Sequence, residues 1–247
     1  MSSSKQREKI FHDIAFSDNT RSVTDKYYSI FSIVQKYYNK KLFEAAIGGK
    51  SVLEIGCGQG SATPFLAKNG ISVIGIDISD VAVNQSRSMA AKLGYSELLG
   101  FEVMDAENLQ FPDNSFDLVC GSGILHHLNL DKAYFEISRV LKKGGKAVFI
   151  EPLGHNPVIN TYRLLTPKLR TEDEHPLLAK DINKARRIFN SVEARYFHLT
   201  TLACIPFRKF GFFTTLLQTL DTVDTTIFKL IPPAGLLAWT VVLELQH

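Results

Sequence analysis

Residues 52–63 read VLEIGCGQGSAT, an apolar run that breaks into Gly56, Gly58 and Gly60. A strand that ends in closely spaced glycines and opens into a helix presents bare backbone amides to a ligand at the carboxyl edge of a parallel sheet. The spacing is G-x-G-x-G, and its third glycine comes one position earlier than in the G-x-G-x-x-G dinucleotide fingerprint. A plain tight turn needs only one or two glycines, so the loop suggests a ligand without naming it.

Outward from this loop, short β-rich runs alternate with helix-length amphipathic segments. SVLEIG (51–56), SVIGID (72–77), GFEVMD (100–105), FDLVCGS (116–122) and KAVFIEP (146–152) are nearly continuous apolar runs, as strands covered on both faces of a parallel sheet should be. Helices are expected from near Ser61, from Ser79 to Leu93 with Ser79 or Asp80 as N-cap, and from about Asp131 to Lys143, ended by Gly144-Gly145. Short right-handed crossovers then give an α/β, Rossmann-like doubly wound sheet. Residues 1–49 read as a helical, aromatic-rich N-terminal cap in which Tyr28 is a candidate lid contact. Residues 153–195, with Pro157, Pro167 and Pro176 among charges, are too long for an ordinary crossover and read as an insertion capping the substrate. YFHLTTL (196–202) and LAWTVVLEL (237–245) complete the strands, with a helix from about Phe210 to Leu230 between them.

The composition bounds the function from outside. A net charge of +3 with only short basic pairs supplies no field for nucleic acid. Cys57, Cys120 and Cys204 are odd in number and far apart, which argues against a disulfide framework or a thiolate zinc site and favours a reducing, cytoplasmic setting. MSSSKQREKI is unlike a signal peptide, and every apolar stretch is broken well short of a spanning helix. Stable membrane insertion is not expected. The apolar FGFFTTLLQTL and IFKLIPPAGLLAWTV segments read first as core, then as a pocket for an aromatic or isoprenoid-like acceptor or as peripheral membrane contact.

Two acids in register with the glycine loop sharpen the ligand. Asp77 closes the second strand, where a carboxylate can accept both hydroxyls of a ribose. Asp105 closes the third, placed to take the exocyclic amine of an adenine while the Ala106 amide meets the ring. An acid at a strand end also serves as a turn cap. Three strand-end features together point to a nucleoside.

These stretches, VLEIGCGQG, VIGIDIS, MDAENLQFPDNSFDLVCGSGILHHL and EISRVLKKGGKAVFIEP, resemble the class I S-adenosylmethionine-dependent methyltransferases, in particular their small-molecule branch, over roughly residues 50–152. The resemblance implies a seven-stranded sheet with an antiparallel last strand, forming one domain over residues 50–247. It implies S-adenosyl-L-methionine as cofactor and S-adenosyl-L-homocysteine as product. Glu54 would help order the methionine end, Gly56, Gly58 and Gly60 would pass close to it, and Asp77 would bind the ribose. Ile78 would pack on the adenine, Asp105 and Ala106 would read its edge, and Gly121 and Ser122 would border the transferred methyl. The implied reaction is an in-line displacement onto O, N or C of a small, partly apolar metabolite, in a monomer or homodimer. A non-catalytic cofactor-binding scaffold and an NAD-dependent dehydrogenase are the alternatives.

Alignment and desolvation supply much of such a reaction, and a base is needed only where the acceptor carries a proton. His127, in GILHHL after the fourth strand, is the first candidate, with holding the loop as its other reading; His126 reads as structural. His155 and Glu151, near the end of the fifth strand, are further catalytic candidates. Tyr162, Arg163 and His175 in the insertion are candidates for substrate binding, against a salt-linked cap built from the arginines and TEDE (171–174). No His, Cys or acid lies at ligand spacing around His126-His127, so no metal is expected. The turn after the fourth strand lacks the N/D-P-P-Y/F pattern of methyltransferases acting on bases or glutamine amides.

Overall fold

The computed structural model describes residues 3–18, 29–58, 62–167, 171 and 174–247. Seven strands, β1 (Val52–Ile55), β2 (Val73–Asp77), β3 (Leu99–Val103), β4 (Phe116–Ser122), β5 (Leu141–Pro152), β6 (Ser191–Phe197) and β7 (Thr240–Gln246), form one sheet in the order β3-β2-β1-β4-β5-β7-β6. β1 is parallel to β2 and β4, while β7 runs antiparallel to both β5 and β6. The order reverses between β1 and β4, and a doubly wound sheet opens its ligand crevice at such a switch point.

Strand alternation sends side chains to two cores. Leu53, Ile55, Val119 and Phe149 pack on one face with Tyr134, Ile137 and Val140 of a helix, α5 (Leu130–Val140). Val52, Leu118, Cys120 and Val148 pack on the other with Val34, Tyr38 and Leu42 of α2 (Ser32–Ala46), and with residues of α3 (Thr63–Lys68) and α4 (Asp80–Leu93). α2 is therefore a core helix of the sheet. The part of residues 1–49 that covers the crevice is α1 (Ser3–Asp18), whose residues line it.

Two expected boundaries move. α5 stops at Val140 instead of reaching Gly144-Gly145, because Leu141 is fully buried and already pairs with Phe116 on β4. Lys142 turns to Asp117 at 2.7 Å, and the glycines fall where the β4–β5 register shifts. The sixth strand lies at 191–197 instead of 196–202. Its SVEARYF repeat turns Val192, Ala194 and Tyr196 to the sheet core and Glu193 and Arg195 to solvent. His198 then takes a left-handed φ of 67°, and the buried Asp224 carboxylate captures the Leu199, Thr200 and Thr201 amides, which starts a 3-10 turn at 200–207.

Within 153–195 lie α6 (Pro157–Leu165) and α7 (Ala179–Ala185), before β6 begins. α8 (Phe213–Leu230) carries Asp224. Among the described residues no helix is long and apolar enough to cross a membrane.

Candidate active site

A cavity of about 380 Å³ opens at the carboxyl ends of β1 to β4 and is covered by α1. Its floor is the glycine loop. Gly56 has φ 65°, and a Cβ there would lie 2.6 Å from Ile124, so only glycine lets the loops after β1 and β4 touch. Gly58 has φ 52° and faces the Phe16 ring of α1. Cys57 between them is buried, and burial pushes its thiol far up, which suits a filler and not a nucleophile. Gly60 lies outside the described residues.

Glu54, fully buried, does not line the cavity. Its two oxygens accept the Ala62 and Thr63 amides at 2.8 and 2.9 Å, tying β1 to the start of α3 and so fixing where the glycine loop ends. Asp77 does line it. One oxygen accepts the Gly58 amide and the other the Ser79 amide, both at 2.9 Å, which leaves each oxygen a free lone pair. Ile78, Ala106 and Asp105 lie on the same wall. Asp105 accepts the Glu107 amide at 2.9 Å and an ion pair from Lys5, whose ammonium also reaches Glu107 at 2.8 Å.

At the other end Ser122, Gly123, Ile124 and His127 line the wall after β4. Gly121 sits behind them; its carbonyl accepts the Tyr38 hydroxyl at 3.1 Å, and a Cβ there would meet Ile124 and the Ile55 carbonyl at 2.8 Å. The 3-10 turn Leu125–His127 is hung on Glu151. This fully buried carboxylate accepts the Ile124 and Leu125 amides at 3.0 and 2.8 Å and lies 2.7 Å from His126 Nδ1. Burial pushes Glu151 up to about 7 against the pull of those amides, and burial holds His126 well below the ordinary imidazole value. Glu151 thus stands behind the cavity wall and positions the turn that presents His127.

Residues 53–149 match the family described as methyltransferase domain. The sterol 24-C-methyltransferase ERG6B of Gibberella zeae is 32% identical over 157 residues, covering 52% of this chain and 41% of that protein. A probable tocopherol O-methyltransferase, chloroplastic, of Oryza sativa subsp. japonica is 36% identical over 104 residues, 41% of this chain and 28% of that protein. The chain spans less than half the length of these two relatives. The solved phosphoethanolamine N-methyltransferase 2 of Haemonchus contortus, in complex with S-adenosyl-L-methionine, shares the fold with a TM-score of 0.61 at 19% identity, covering 85% of this chain and 52% of that one. Over residues 53–149 this chain is similar to the methyltransferase domain family.

The cavity gathers Gly56, Gly58, Asp77, Ile78, Asp105, Ala106, Ser122 and His127. It does not gather the candidates from the end of β5 and the insertion. His155 is exposed and accepts the Ala179 amide at 3.2 Å, capping α7. His175 is exposed, and its amide donates to the His126 carbonyl at 3.0 Å. Arg163 pairs with Glu174 at 2.8 Å, the salt-linked cap. The Tyr162 carbonyl accepts the Thr166 hydroxyl at 2.7 Å within α6, and its ring is not part of the cavity lining. Tyr28 lies outside the described residues.

Sequence reasoning missed Lys5, Glu8, His12 and Phe16. All four line the cavity from α1. Their spacing of three, four and four is that of one helix face, a stripe legible in KQREKIFHDIAF. Glu8 is the buried acid among them. Burial would raise its carboxyl, but His12 at 3.4 Å, His127 at 3.2 Å and the Thr171 hydroxyl outweigh that and hold it well below the usual range. α1 is further tied down by Lys9 to Asp80 at 3.0 Å and by Gln85 to the Phe16 carbonyl at 3.2 Å.

Proposed function

We propose that this chain binds S-adenosyl-L-methionine under α1 and transfers its methyl group to O, N or C of a small, partly apolar acceptor. One observation carries the reading: a single cavity joins Asp77, the Ile78–Asp105–Ala106 wall and, at its far end, the Ser122–His127 wall. The free lone pairs of Asp77 suit a ribose diol, Ile78 suits the face of a purine, and Asp105 with the Ala106 amide suits its edge. The methionine end then lies over Gly56 and Gly58, which project no side chain of their own, with the Phe16 ring opposite Gly58.

The sulfonium carries its own leaving group. The acceptor's lone pair forms a bond to the methyl carbon as the carbon–sulfur bond breaks and its electron pair stays on sulfur, giving S-adenosyl-L-homocysteine. The protein aligns the two partners and excludes water, the work of the α1 cover. Where the acceptor atom carries a proton, His127 is placed to take it. Ile124, Leu128 and Met104 give the cavity apolar wall. That wall, and relatives named for sterol and tocopherol methylation, support a partly apolar acceptor. Three buried, unpaired cysteines support work in the cytoplasm.

Calorimetry with S-adenosyl-L-homocysteine and with NADH tests the cofactor, and binding of NADH alone defeats the reading. A labelled-methyl assay against a metabolite extract, with mass spectrometry of the product, identifies the acceptor. Tight cofactor binding with no labelled product in any extract would leave a scaffold.

A further inference from the structure

We propose that Glu8 and His12 of α1, with His127 after β4, form a site for a divalent transition metal of the zinc type, its remaining coordination positions open to the cavity. Glu8 Oε2 lies 3.4 Å from His12 Nε2 and 3.2 Å from His127 Nδ1, and one ligand atom from each of the three residues lies within 4.8 Å of the others. Ligands bonded at about 2.0–2.1 Å to a tetrahedral ion stand about 3.4 Å apart. Two imidazoles and a carboxylate are also a donor set that zinc and its neighbours accept while keeping a position free.

The second observation is Glu8 itself. It is 6% exposed, and neither its Oε2 nor His127 Nδ1 has a formed hydrogen bond among the described residues. Elsewhere in the molecule buried acids are met by backbone amides: Glu54 by Ala62 and Thr63, Glu136 by Leu109, Glu151 by Ile124 and Leu125, Asp181 by Leu178, Asp224 by Leu199 and Thr200. Among the described residues Glu8 meets no backbone amide. Its other oxygen is held by the Thr171 hydroxyl, which orients the carboxylate and leaves Oε2 aimed between the two rings. A bare ion pair would explain the proximity, but it would direct an N–H at the oxygen, and none is directed there. Local spacing around His127 hid the site because two of its ligands come from the other end of the chain.

All three residues line the cavity, so the open positions of a bound cation face the acceptor end, and an oxygen-bearing acceptor is the chemical class they would take. That last use rests on the methyl-transfer reading and, with His127 Nδ1 on the ion and its Nε2 protonated, would replace that histidine as the acceptor's base; the binding of metal rests on neither. The test uses untagged full chain stripped with chelator, titrated with Co²⁺ and followed by visible absorbance and equilibrium dialysis, then with Zn²⁺ as competitor. One equivalent of Co²⁺ with tetrahedral or five-coordinate bands, displaced by Zn²⁺, is expected. Glu8→Gln, nearly isosteric, and His12→Ala should each weaken binding more than about 100-fold, while His247→Ala, outside the cavity, should not change it. No Co²⁺ bound, or equal affinity in Glu8→Gln and the parent, overturns the site. Calorimetry with S-adenosyl-L-homocysteine on the same samples separates the two readings: cofactor binding without metal sinks only this inference, and metal binding without cofactor sinks only the methyl-transfer reading.

Discussion

The sheet edge and the α1 cover solve the same problem in opposite ways. Along the edge, each buried carboxylate is spent on nearby backbone: Glu54 holds the start of α3, Glu151 the turn at 125–127, and Asp224 the turn at 200. Across the cavity, α1 reaches the rest of the molecule through side chains: Lys5 to Asp105, Lys9 to Asp80, Glu8 to His127 and Thr171. Backbone anchors fix a shape that cannot relax without exposing amides, whereas side-chain pairs can part and re-form at little cost. The pocket therefore has a floor held by backbone and a cover held by side chains.

The contrast is most severely tested at Glu151. Glu151→Ala strands the Ile124 and Leu125 amides and removes the partner of His126, and it should cost on the order of 4 kcal/mol, read as a shifted midpoint in urea unfolding. A loss below about 1 kcal/mol would break the distinction between anchored and reaching acids. Next comes the Asp224 corner, where burial holds His198 down to about 4. Because the unfolded chain takes up this proton near pH 6.5 and the folded chain only near 4, His198 lowers stability as pH falls through that window, by on the order of 3 kcal/mol. His198→Asn, which tolerates the left-handed φ, should flatten the slope of Tm against pH between 6.5 and 4. Glu151, raised to about 7, acts with the opposite sign, its contribution falling as pH rises from about 4.5 to 7.

Smaller effects fall on the cavity. Asp77→Ala should weaken S-adenosyl-L-homocysteine binding about 10- to 100-fold by calorimetry, the loss of charged hydrogen bonds to a ribose; unchanged affinity would remove Asp77 from the cofactor site. Lys5→Ala should be the mildest. It breaks side-chain pairs at the rim, so unfolding should change by less than about 1 kcal/mol, while cofactor affinity rises about threefold because Asp105 is freed. A large loss of stability in Lys5→Ala would mean that the cover is structural after all.

What was legible in the sequence follows the same division. The Ser79 cap accepts the Ala82 amide at 3.1 Å, Gly94 closes α4 with φ 74°, and β1 to β4 lie close to where their apolar runs put them, since caps and periodicity are local. The end of α5 was not legible. Gly144-Gly145 carry a helix-stop signal, yet the burial of Leu141 against β4 decides the boundary, a tertiary fact. β6 slipped because the stop is imposed by Asp224, some 25 residues downstream. At the site, the acids at the ends of β2 and β3 were readable from register. Glu151 was read as a catalytic candidate, whereas its carboxylate anchors the turn behind the cavity wall. Glu8 and His12 were visible only as a stripe whose destination the chain topology alone determines.

The single tryptophan gives the molecule an optical bias. Trp239 packs against the Phe31 ring at 5.7 Å and the His198 ring at 5.9 Å, in the corner where α2 meets the last two strands. Its emission therefore reports that corner, and charging the neighbouring imidazole, which the folded chain does only near pH 4, should quench it as the acid loss of stability levels off. Events beneath α1 are dark to it, so a fluorescence trace without change during ligand titration says nothing about the cover, and a dye placed on α1 is the probe that reports there.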